Sequence, residues 1–307
     1  MSKGTSKRSG EEKLIADISK IVGQQGRDVI SGIGDDCAVI RYRPGRYLLL
    51  AQDMLIDGVH FELSEVTPQE IGHKALAVNL SDIAAMAGTP KYALVSLGLP
   101  KRVSRSFVIN LYKGMRRLGC RFGVEIVGGD TNRSKALVVD VTIVGEVRQD
   151  NLVLRRGAKP GDAIYVTGTL GGSGGGKHLN FIPRINEAQT LKRFVDLHSM
   201  IDISDGVAKD LVHLIRGENL GAIIEEDKIP ISKGCNSIEK ALTEGEDFEL
   251  LFTVSKSDSG RLEKKSRRLL SIPVTRIGEI VKRPASIRIR RKNGNIRSLK
   301  QKGFSHF

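Results

Sequence analysis

The residues best suited to do chemistry in this sequence are aspartates at or near the predicted ends of helices and strands, most of them close to Gly, Ser or Asn. They are Asp36, Asp53, Asp82, Asp130, Asp202 and Asp205. Carboxylates about 4 Å apart repel one another by several kcal/mol, so a cluster of them holds together only around cations. Oxygen donors without cysteine favour magnesium, manganese or calcium over zinc. A single aspartate is more often a turn former or a helix cap, but the set predicts a divalent-metal site for a phosphate-rich substrate.

The helix that must position Asp82 is predicted to open at Thr67-Pro68, with Thr67 and Glu70 as a capping box, and to end at Gly88. Asn79, Asp82 and Met86 are spaced i, i+3 and i+7 and therefore share one stripe of this helix. A carboxylate on an otherwise apolar stripe is costly unless something neutralises it. Three further acidic loops, at 34–36, 128–130 and 202–206, are predicted to converge on it.

Alternating helix and strand patterns predict an α/β fold with its acids on connecting loops. A strand at 124–127 is predicted to run into a Gly-Gly-Asp-Thr loop at 128–131. A new pattern opens after Gln149-Asp150, so we predict two domains, residues 1–149 and 150–307.

The composition is that of an ordinary globular protein, with 307 residues, 40 % of them apolar and 27 % charged. No apolar run is long enough to span a membrane, and the first residues lack the apolar core of a signal peptide. The cysteines, Cys37, Cys120 and Cys235, form no CxxC motif, which suits a reducing compartment and argues against structural zinc. We therefore expect a cytoplasmic protein without a membrane partner.

The formal net charge of +14 is concentrated at the C-terminal end, where sixteen Lys and Arg stand against three acids from Lys256 onward. Few aromatic residues are interleaved with these charges for base stacking. We interpret the region as a solvated basic face and expect no nucleic-acid partner, although such a face could also attract a polyanionic small substrate.

A glycine-rich segment, Gly171 to His178, nearly matches the phosphate-binding GxxxxGK[ST] motif and follows a predicted strand. The last position fails, because His178 stands where a hydroxyl must ligate magnesium. A P-loop ATPase that uses Lys177 stays open as an alternative, as do a flexible connector and a loop near the nucleotide in a different fold.

Short motifs in order along nearly the whole chain resemble the thiamine-monophosphate kinase family, within the aminoimidazole-ribonucleotide-synthetase-like superfamily. The motifs lie at residues 32–38, 58–61, 74–86, 128–131, 157–162, 201–206, 245–250 and 303–307. The resemblance implies that ATP and thiamine monophosphate react to give ADP and thiamine diphosphate. It also implies a two-domain fold, in which an N-terminal mixed sheet with helices forms a homodimer and a C-terminal α/β sandwich closes over the nucleotide.

The resemblance further assigns roles to particular residues. Several Mg²⁺ ions would be held by Asp36, Asp53, Asp82, Asp130, Asp202 and Asp205. ATP would contact Gly129, Asp130, Arg155 and Ser204, and thiamine monophosphate would contact His60, Glu246 and Phe304. Asp130, Asp205 and Arg155 would take part in catalysis. Because the acceptor is an ionised phosphate, the transfer needs no general base, and we expect direct transfer without a phosphoenzyme.

Two positions depart from the family pattern. Ala51-Gln52 stand where hydroxyl residues usually precede Asp53, and Gly172 replaces an acid ahead of a short segment that leads to Pro183-Arg184. Two alternatives therefore accompany the kinase hypothesis: another ATP-dependent synthetase of the superfamily with a different acceptor, and a nucleotide-binding protein without catalytic activity.

Overall fold

The computed structural model describes residues 10–23, 26–216, 219–284, 286–300 and 303, and these residues form two β-sheets with helices packed on them. The helices are α1 (Gly10–Val22), α2 (Pro68–Ala85), α3 (Arg105–Phe122), α4 (Lys177–Asn180), α5 (Ile185–Phe194), α6 (Val207–Ile215), α7 (Ile238–Thr243) and α8 (Lys256–Leu269). The strands are β1 (Val29–Ser31), β2 (Ala38–Arg43), β3 (Arg46–Ile56), β4 (Thr89–Leu99), β5 (Glu125–Arg133), β6 (Val138–Arg148), β7 (Ala163–Thr167), β8 (Leu197–Asp202), β9 (Gly221–Glu225), β10 (Leu250–Val254), β11 (Val274–Val281), β12 (Ile287–Arg290) and β13 (Ile296–Ser298).

Both sheets are mixed. The first has the strand order β1-β2-β3-β6-β4-β5, in which only the β4–β5 pair is parallel among the described strands. The second has the order β13-β12-β9-β11-β7-β10-β8, with β12 and β9 parallel. The first sheet ends at residue 148 and the second begins at residue 163, so the boundary predicted at 149/150 falls between them.

Helix α2 connects the two halves of the molecule. It packs on α3 and on β3 and β6 of the first sheet, and it also contacts β8, α4 and α5 from the C-terminal half. One apolar core accordingly runs from Leu49 through Leu76 to Leu191 and Phe252. Because α2 is enclosed on several sides, most of its side chains are buried, and these include the polar Lys74 and Asn79.

The predicted start of α2 is confirmed. Thr67 and Glu70 form the capping box, and Pro68 occupies the first turn. The helix ends at Ala85, somewhat before the predicted Gly88, because Met86 already has non-helical backbone angles. An Asn-Gly pair between two strand patterns predicts a hairpin turn, and Asn293-Gly294 forms one, with Gly294 at φ 82° between β12 and β13.

The Gly-Gly-Asp-Thr motif was predicted as a loop, but residues 128–131 lie inside β5. This strand is at the edge of the sheet, and nearly all its side chains are exposed. The motif contains two glycines and an aspartate, residues that are rare in strands, so local propensity favoured a loop and pairing with β4 overrode it.

No helix in the described part of the chain is long and apolar enough to cross a membrane.

Candidate active site

Three of the predicted aspartates meet where α2 lies between the two sheets. Asp36 precedes β2, Asp82 lies in the last turn of α2, and Asp202 is the last residue of β8. One carboxylate oxygen from each lies within 4.8 Å of the others. The three residues are far apart in sequence, so the packing of α2 against β8 and the first sheet assembles the cluster.

The cluster contains more carboxyl groups than the positive charges around it can neutralise. Burial raises the pKa of Asp202 to about 7, and the neighbouring Asp36 adds to that shift. Burial, followed by the charges of Asp53 and Asp202, raises the pKa of Asp82 well above its ordinary value. Burial also raises the pKa of Asp53 to about 6. The carboxyls of Asp53, Asp82 and Asp202 therefore resist ionising in this site without a cation.

Two neighbouring groups fix the cluster's geometry. The Ser81 hydroxyl donates to Asp202 Oδ2 at 2.6 Å, and Arg155 Nη2 donates to Asp36 Oδ1 at 2.6 Å. Burial alone would lower the pKa of Arg155, but the Asp36 carboxylate raises it above its ordinary value, so the guanidinium stays charged. Arg155 is a single positive charge facing several carboxyls, and it does not balance them.

The residues present suit a divalent cation. The other carboxylate oxygen of Asp36, Oδ2, is buried and has no hydrogen-bond partner among the described residues. Buried polar atoms are normally paired, and an unpartnered oxygen in an acidic cluster is suited to coordinate a metal. All the donors are oxygens, a set that suits Mg²⁺, Mn²⁺ or Ca²⁺.

A cleft of about 770 Å³ opens beside the cluster along the second half of β3. Most of the predicted site residues line it: Asp36, Asp53, His60, Asp82, Arg155, Asp202, Ser204, Asp205 and Glu246. Its walls come from both sheets, and its volume is in the range of a small-molecule site. Gln52, at one of the positions that depart from the family pattern, also lines the cleft, and its amide donates to Asp140 at 2.9 Å.

Gly129 and Asp130 are not brought into this cleft by the described part of the chain. Asp130 pairs in register with Ser96 of β4, whose side chain is exposed, whereas Asp53 shares its face of β3 with the buried Ala51 and Leu55. Successive residues of a strand face opposite sides of a sheet, so Asp130 and Asp53 lie on opposite faces. The Asp130 carboxylate accepts from the N–H of Thr131 and the amide of Asn132. Phe304, predicted to contact the substrate, lies outside the described residues.

Two buried charged residues near the cleft escaped the sequence analysis. Asp210 in α6 accepts from the backbone N–H groups of Asp205 and Gly206 through Oδ2, and thereby fixes the loop after β8. Lys74 in α2 donates to Glu246 and to the backbone of His60. Both occupy inward-facing positions of their helices, among buried apolar residues, and a charged residue at such a position was the signal that could have identified them.

The glycine-rich segment does not have the geometry of a P-loop. The backbone N–H groups of Gly171 and Gly172, which a P-loop would direct at phosphate, donate to the buried carboxylate of Asp247. Lys177 Nζ donates to the Thr169 carbonyl at 2.5 Å and lies 3.4 Å from both Asp247 and Glu249. The Asp247 carboxylate thus binds the N–H groups that would bind phosphate in a P-loop, which argues against the P-loop ATPase alternative.

Comparisons with known proteins identify the family that this chain resembles. The N-terminal domain of AIR synthase related proteins matches residues 34–147, and the C-terminal domain of the same proteins matches residues 178–290. Thiamine-monophosphate kinase of Rhodopirellula baltica is 39% identical over 272 residues, which cover 83% of this chain and 84% of that protein. The enzyme of Bacillus subtilis is 34% identical over 304 residues, covering 90% and 93%.

The solved structure of AaThiL complexed with AMPPCP and TMP superimposes with a TM-score of 0.82 at 33% identity and covers 97% of both chains. Thiamine monophosphate kinase from Aquifex aeolicus gives a TM-score of 0.73 at 30% identity, covering 92% of this chain and 97% of that one. The chain therefore belongs to the thiamine-monophosphate kinase family, a family of phosphotransferases within the AIR synthase-related proteins.

Proposed function

We propose that this protein transfers the γ-phosphoryl group of ATP to the phosphate of thiamine monophosphate, giving ADP and thiamine diphosphate. The observation that carries the proposal is the meeting of Asp36, Asp82 and Asp202 within 4.8 Å at a cleft between the two sheets, in a chain of this family. AaThiL complexed with AMPPCP, an ATP analogue, and TMP supports the same pair of ligands.

Asp36, Asp82 and Asp202 would hold Mg²⁺, and Asp53 and Asp205 line the same cleft within reach of further ions. Bound magnesium would neutralise charge on the transferring phosphoryl group, which is the largest requirement of this reaction. The fit rests on the unpaired Asp36 oxygen and on the raised pKa of Asp82 and of Asp202, which a bound cation would lower.

The protein's own contribution is to position the reactants and to add positive charge. Arg155 is held in place by Asp36 at the edge of the cluster and is suited to a phosphate oxygen. Ser204 lies on the same cleft, on the loop after β8 that Asp210 holds. The acceptor is already an ionised phosphate, so none of these residues has to remove a proton. Transfer is direct, and a labelled phosphoprotein trapped after incubation with γ-labelled ATP would contradict it.

Thiamine monophosphate would occupy the side of the cleft formed by His60 and Glu246, and Phe304 would add an aromatic face. The Glu246 carboxylate lines the cleft, and its side chain is 28% exposed. A carboxylate at this position suits the cationic thiazolium ring of thiamine better than its phosphate.

The proposed domains are residues 1–149, which carry the first sheet and α2, and residues 150–307, which close over the nucleotide. We also propose a homodimer through the face of the first sheet opposite α2. Large apolar side chains are exposed on these strands, among them Met54, Tyr92 and Leu94 at 44–49%, and such a patch is typical of an interface.

Asp130 lies on this same face, because directly paired residues of neighbouring strands share a face. Asp130 pairs with Ser96, Ser96 pairs with Asp140, and Asp140 pairs with Met54. We propose that a second copy on this face brings Gly129 and Asp130 beside a cleft. Sedimentation of the wild type and of Leu94→Lys tests the dimer, and a monomeric wild type would overturn it.

The decisive experiment mixes purified protein with ATP, Mg²⁺ and thiamine monophosphate and measures ADP and thiamine diphosphate. We expect equal amounts of the two products, and their loss in Asp82→Asn. ADP without thiamine diphosphate would overturn the assignment, and turnover of a different acceptor in the same assay would favour another synthetase of the superfamily. Nucleotide binding without either product would favour a non-catalytic binding protein.

A further inference from the structure

Lys74 is a fully buried lysine in the middle of α2 whose three donors are all used. Its Nζ donates to the carbonyl of His60 at 2.7 Å, to Nδ1 of His178 at 2.7 Å and to Oε1 of Glu246 at 2.6 Å. An ammonium group has three N–H donors and no acceptor, so this lysine is saturated. Lysine is almost never fully buried unless it is paired, and so the contacts account for its presence in the core.

The three acceptors come from separate parts of the chain. His60 follows β3, His178 is the last residue of the glycine-rich segment and lies in α4, and Glu246 precedes β10. His60 and Glu246 both line the cleft. The backbone of Glu246 has a φ of 53°, a conformation that costs a non-glycine residue free energy and persists only where the surroundings enforce it. Its N–H donates to the carbonyl of Ser204 at 2.7 Å, and Lys74 holds its side chain.

His178 completes the group from the C-terminal half. Burial, and then the charge of Lys74, lower its pKa, so the imidazole is neutral near pH 7. Its Nδ1 lies 2.7 Å from Lys74 Nζ and 3.2 Å from Glu246 Oε2. Because an ammonium can only donate, Nδ1 must accept, and the proton of the ring is on Nε2. The glycine-rich segment is thereby anchored at the same lysine that holds Glu246.

We propose that Lys74 is a positioning residue that fixes Glu246 and the His60 backbone on the thiamine-phosphate side of the cleft, with His178 as its anchor to the glycine-rich segment. The inference rests on the proposed function, since it takes His60 and Glu246 as contacts of thiamine monophosphate. Among the described residues Lys74 makes no hydrogen bond to the aspartate cluster, to Arg155 or to Ser204, so we expect its loss to disturb the thiamine-phosphate side of the cleft more than the nucleotide side. Its effect is therefore expected on one substrate more than on the other.

The test replaces Lys74 by Met, which keeps the length of the side chain and removes the charge and the donors. We expect the KM for thiamine monophosphate to rise about tenfold or more, while the KM for ATP stays within about twofold. The matched control is Lys177→Met, which removes a nearby lysine bound to Thr169, Asp247 and Glu249, none of which lines the cleft. In the control both KM values are expected to stay within about twofold.

A double-mutant cycle with Glu246→Ala, which removes the acceptor of Lys74, separates positioning from general destabilisation. If Lys74 acts through Glu246, the double variant raises the KM for thiamine monophosphate no further than Glu246→Ala alone. Should Lys74→Met fail to fold, His178→Leu provides the second variant. Its expected effect is a smaller rise in the same KM, which His178→Gln restores by returning an acceptor.

The inference is overturned if Lys74→Met folds and leaves the KM for thiamine monophosphate unchanged, if both KM values rise together, or if the two substitutions are additive. If Lys74→Met does not fold, the inference is overturned when His178→Leu and the wild type have the same KM for thiamine monophosphate. If the wild type makes no thiamine diphosphate, the proposed function is overturned and this inference with it. That outcome is distinguished from failure of the inference alone, because it is seen in the product assay of the wild type and not in the KM values of the variants.

Discussion

The molecule contains two groups of buried carboxylates that differ in how their charge is balanced. Around Asp247 and Glu249 the balance is internal, because Arg184 donates twice to Glu249 at 2.6 and 2.7 Å and Lys177 lies between the two acids. Around Asp36, Asp82 and Asp202, Arg155 is the cation that contacts the carboxylates in the described residues. The first group has the partners of a structural network, whereas the second has spare negative charge at a cleft.

The difference shows that burial alone does not mark a functional acid. Asp36 and Asp202 in one group are buried, as are Asp247 and Glu249 in the other. What separates them is whether the protein supplies the counter-charge itself or leaves it for a ligand.

The largest expected effect is the loss of stability caused by Arg184→Met, in the group whose charge is balanced internally. It leaves Glu249 buried with Lys177 as its remaining cation, and an uncompensated buried charge costs about 3–5 kcal/mol. We expect the midpoint of urea unfolding to fall accordingly, while kcat per folded molecule stays close to wild type. A large loss of kcat without loss of stability would place this network in the active site and remove the distinction.

Asp202→Asn should have the opposite result. Phosphoryl transfer is expected to fall about a hundredfold to a thousandfold, because a charged ligand of the proposed metal site is lost. The thermal midpoint without metal should stay the same or rise near pH 8, since a buried charge is removed and an amide oxygen still accepts from Ser81. Steady-state kinetics and thermal melts of the same preparation check both parts. A strong drop in the midpoint would contradict the assignment of Asp202 to the unbalanced group.

The pH dependence of stability should come from the unbalanced group. The pKa of Asp53 and that of Asp202 are raised in the folded protein, to about 6 and about 7. Between their unfolded values near 4 and these values, the folded state binds more protons than the unfolded state. Stability without metal therefore falls as pH rises through that window. Magnesium should raise the thermal midpoint by several degrees more at pH 8 than at pH 5, as a pair of melts can measure.

The smallest effect is expected for Lys177→Met. Its two ion pairs are long, at 3.4 Å, Glu249 keeps Arg184, and Asp247 keeps the N–H donors of Gly171 and Gly172, so we expect a loss of about 1–2 kcal/mol in the free energy of unfolding. The KM for ATP should stay within about twofold. Loss of ATP use with unchanged stability would revive the P-loop alternative and show that Asp247 gives up the glycine amides when nucleotide binds.

The sequence predicted local features well, because they are set by neighbouring residues. The capping box of Thr67 and Glu70 and the Asn293-Gly294 turn depend on contacts a few residues apart, and both are present. The Gly-Gly-Asp-Thr segment shows the limit of this approach. Its strand exists because β4 supplies hydrogen-bond partners, and no local pattern contains that information.

For the candidate site, the sequence identified the chemistry, namely several acids, one arginine and no cysteine ligand. It did not separate Asp82, which faces Asp36 and Asp202, from Asp130, which lies on the opposite face of the first sheet. It also did not identify Lys74 and Asp210. Both are buried, but a charged residue in a helix is usually exposed, and only the packing around the helix shows which ones are not.

By itself the sequence determined the residue types, the local caps and turns, and the order of motifs that indicates the family, because these depend on composition and short-range spacing. The tertiary structure decided which carboxylates share a site and which are neutralised within the protein. That depends on the packing of α2 between the two sheets, which brings residues 36, 82 and 202 together across the chain and buries two of them, so their charges are less screened than at a surface.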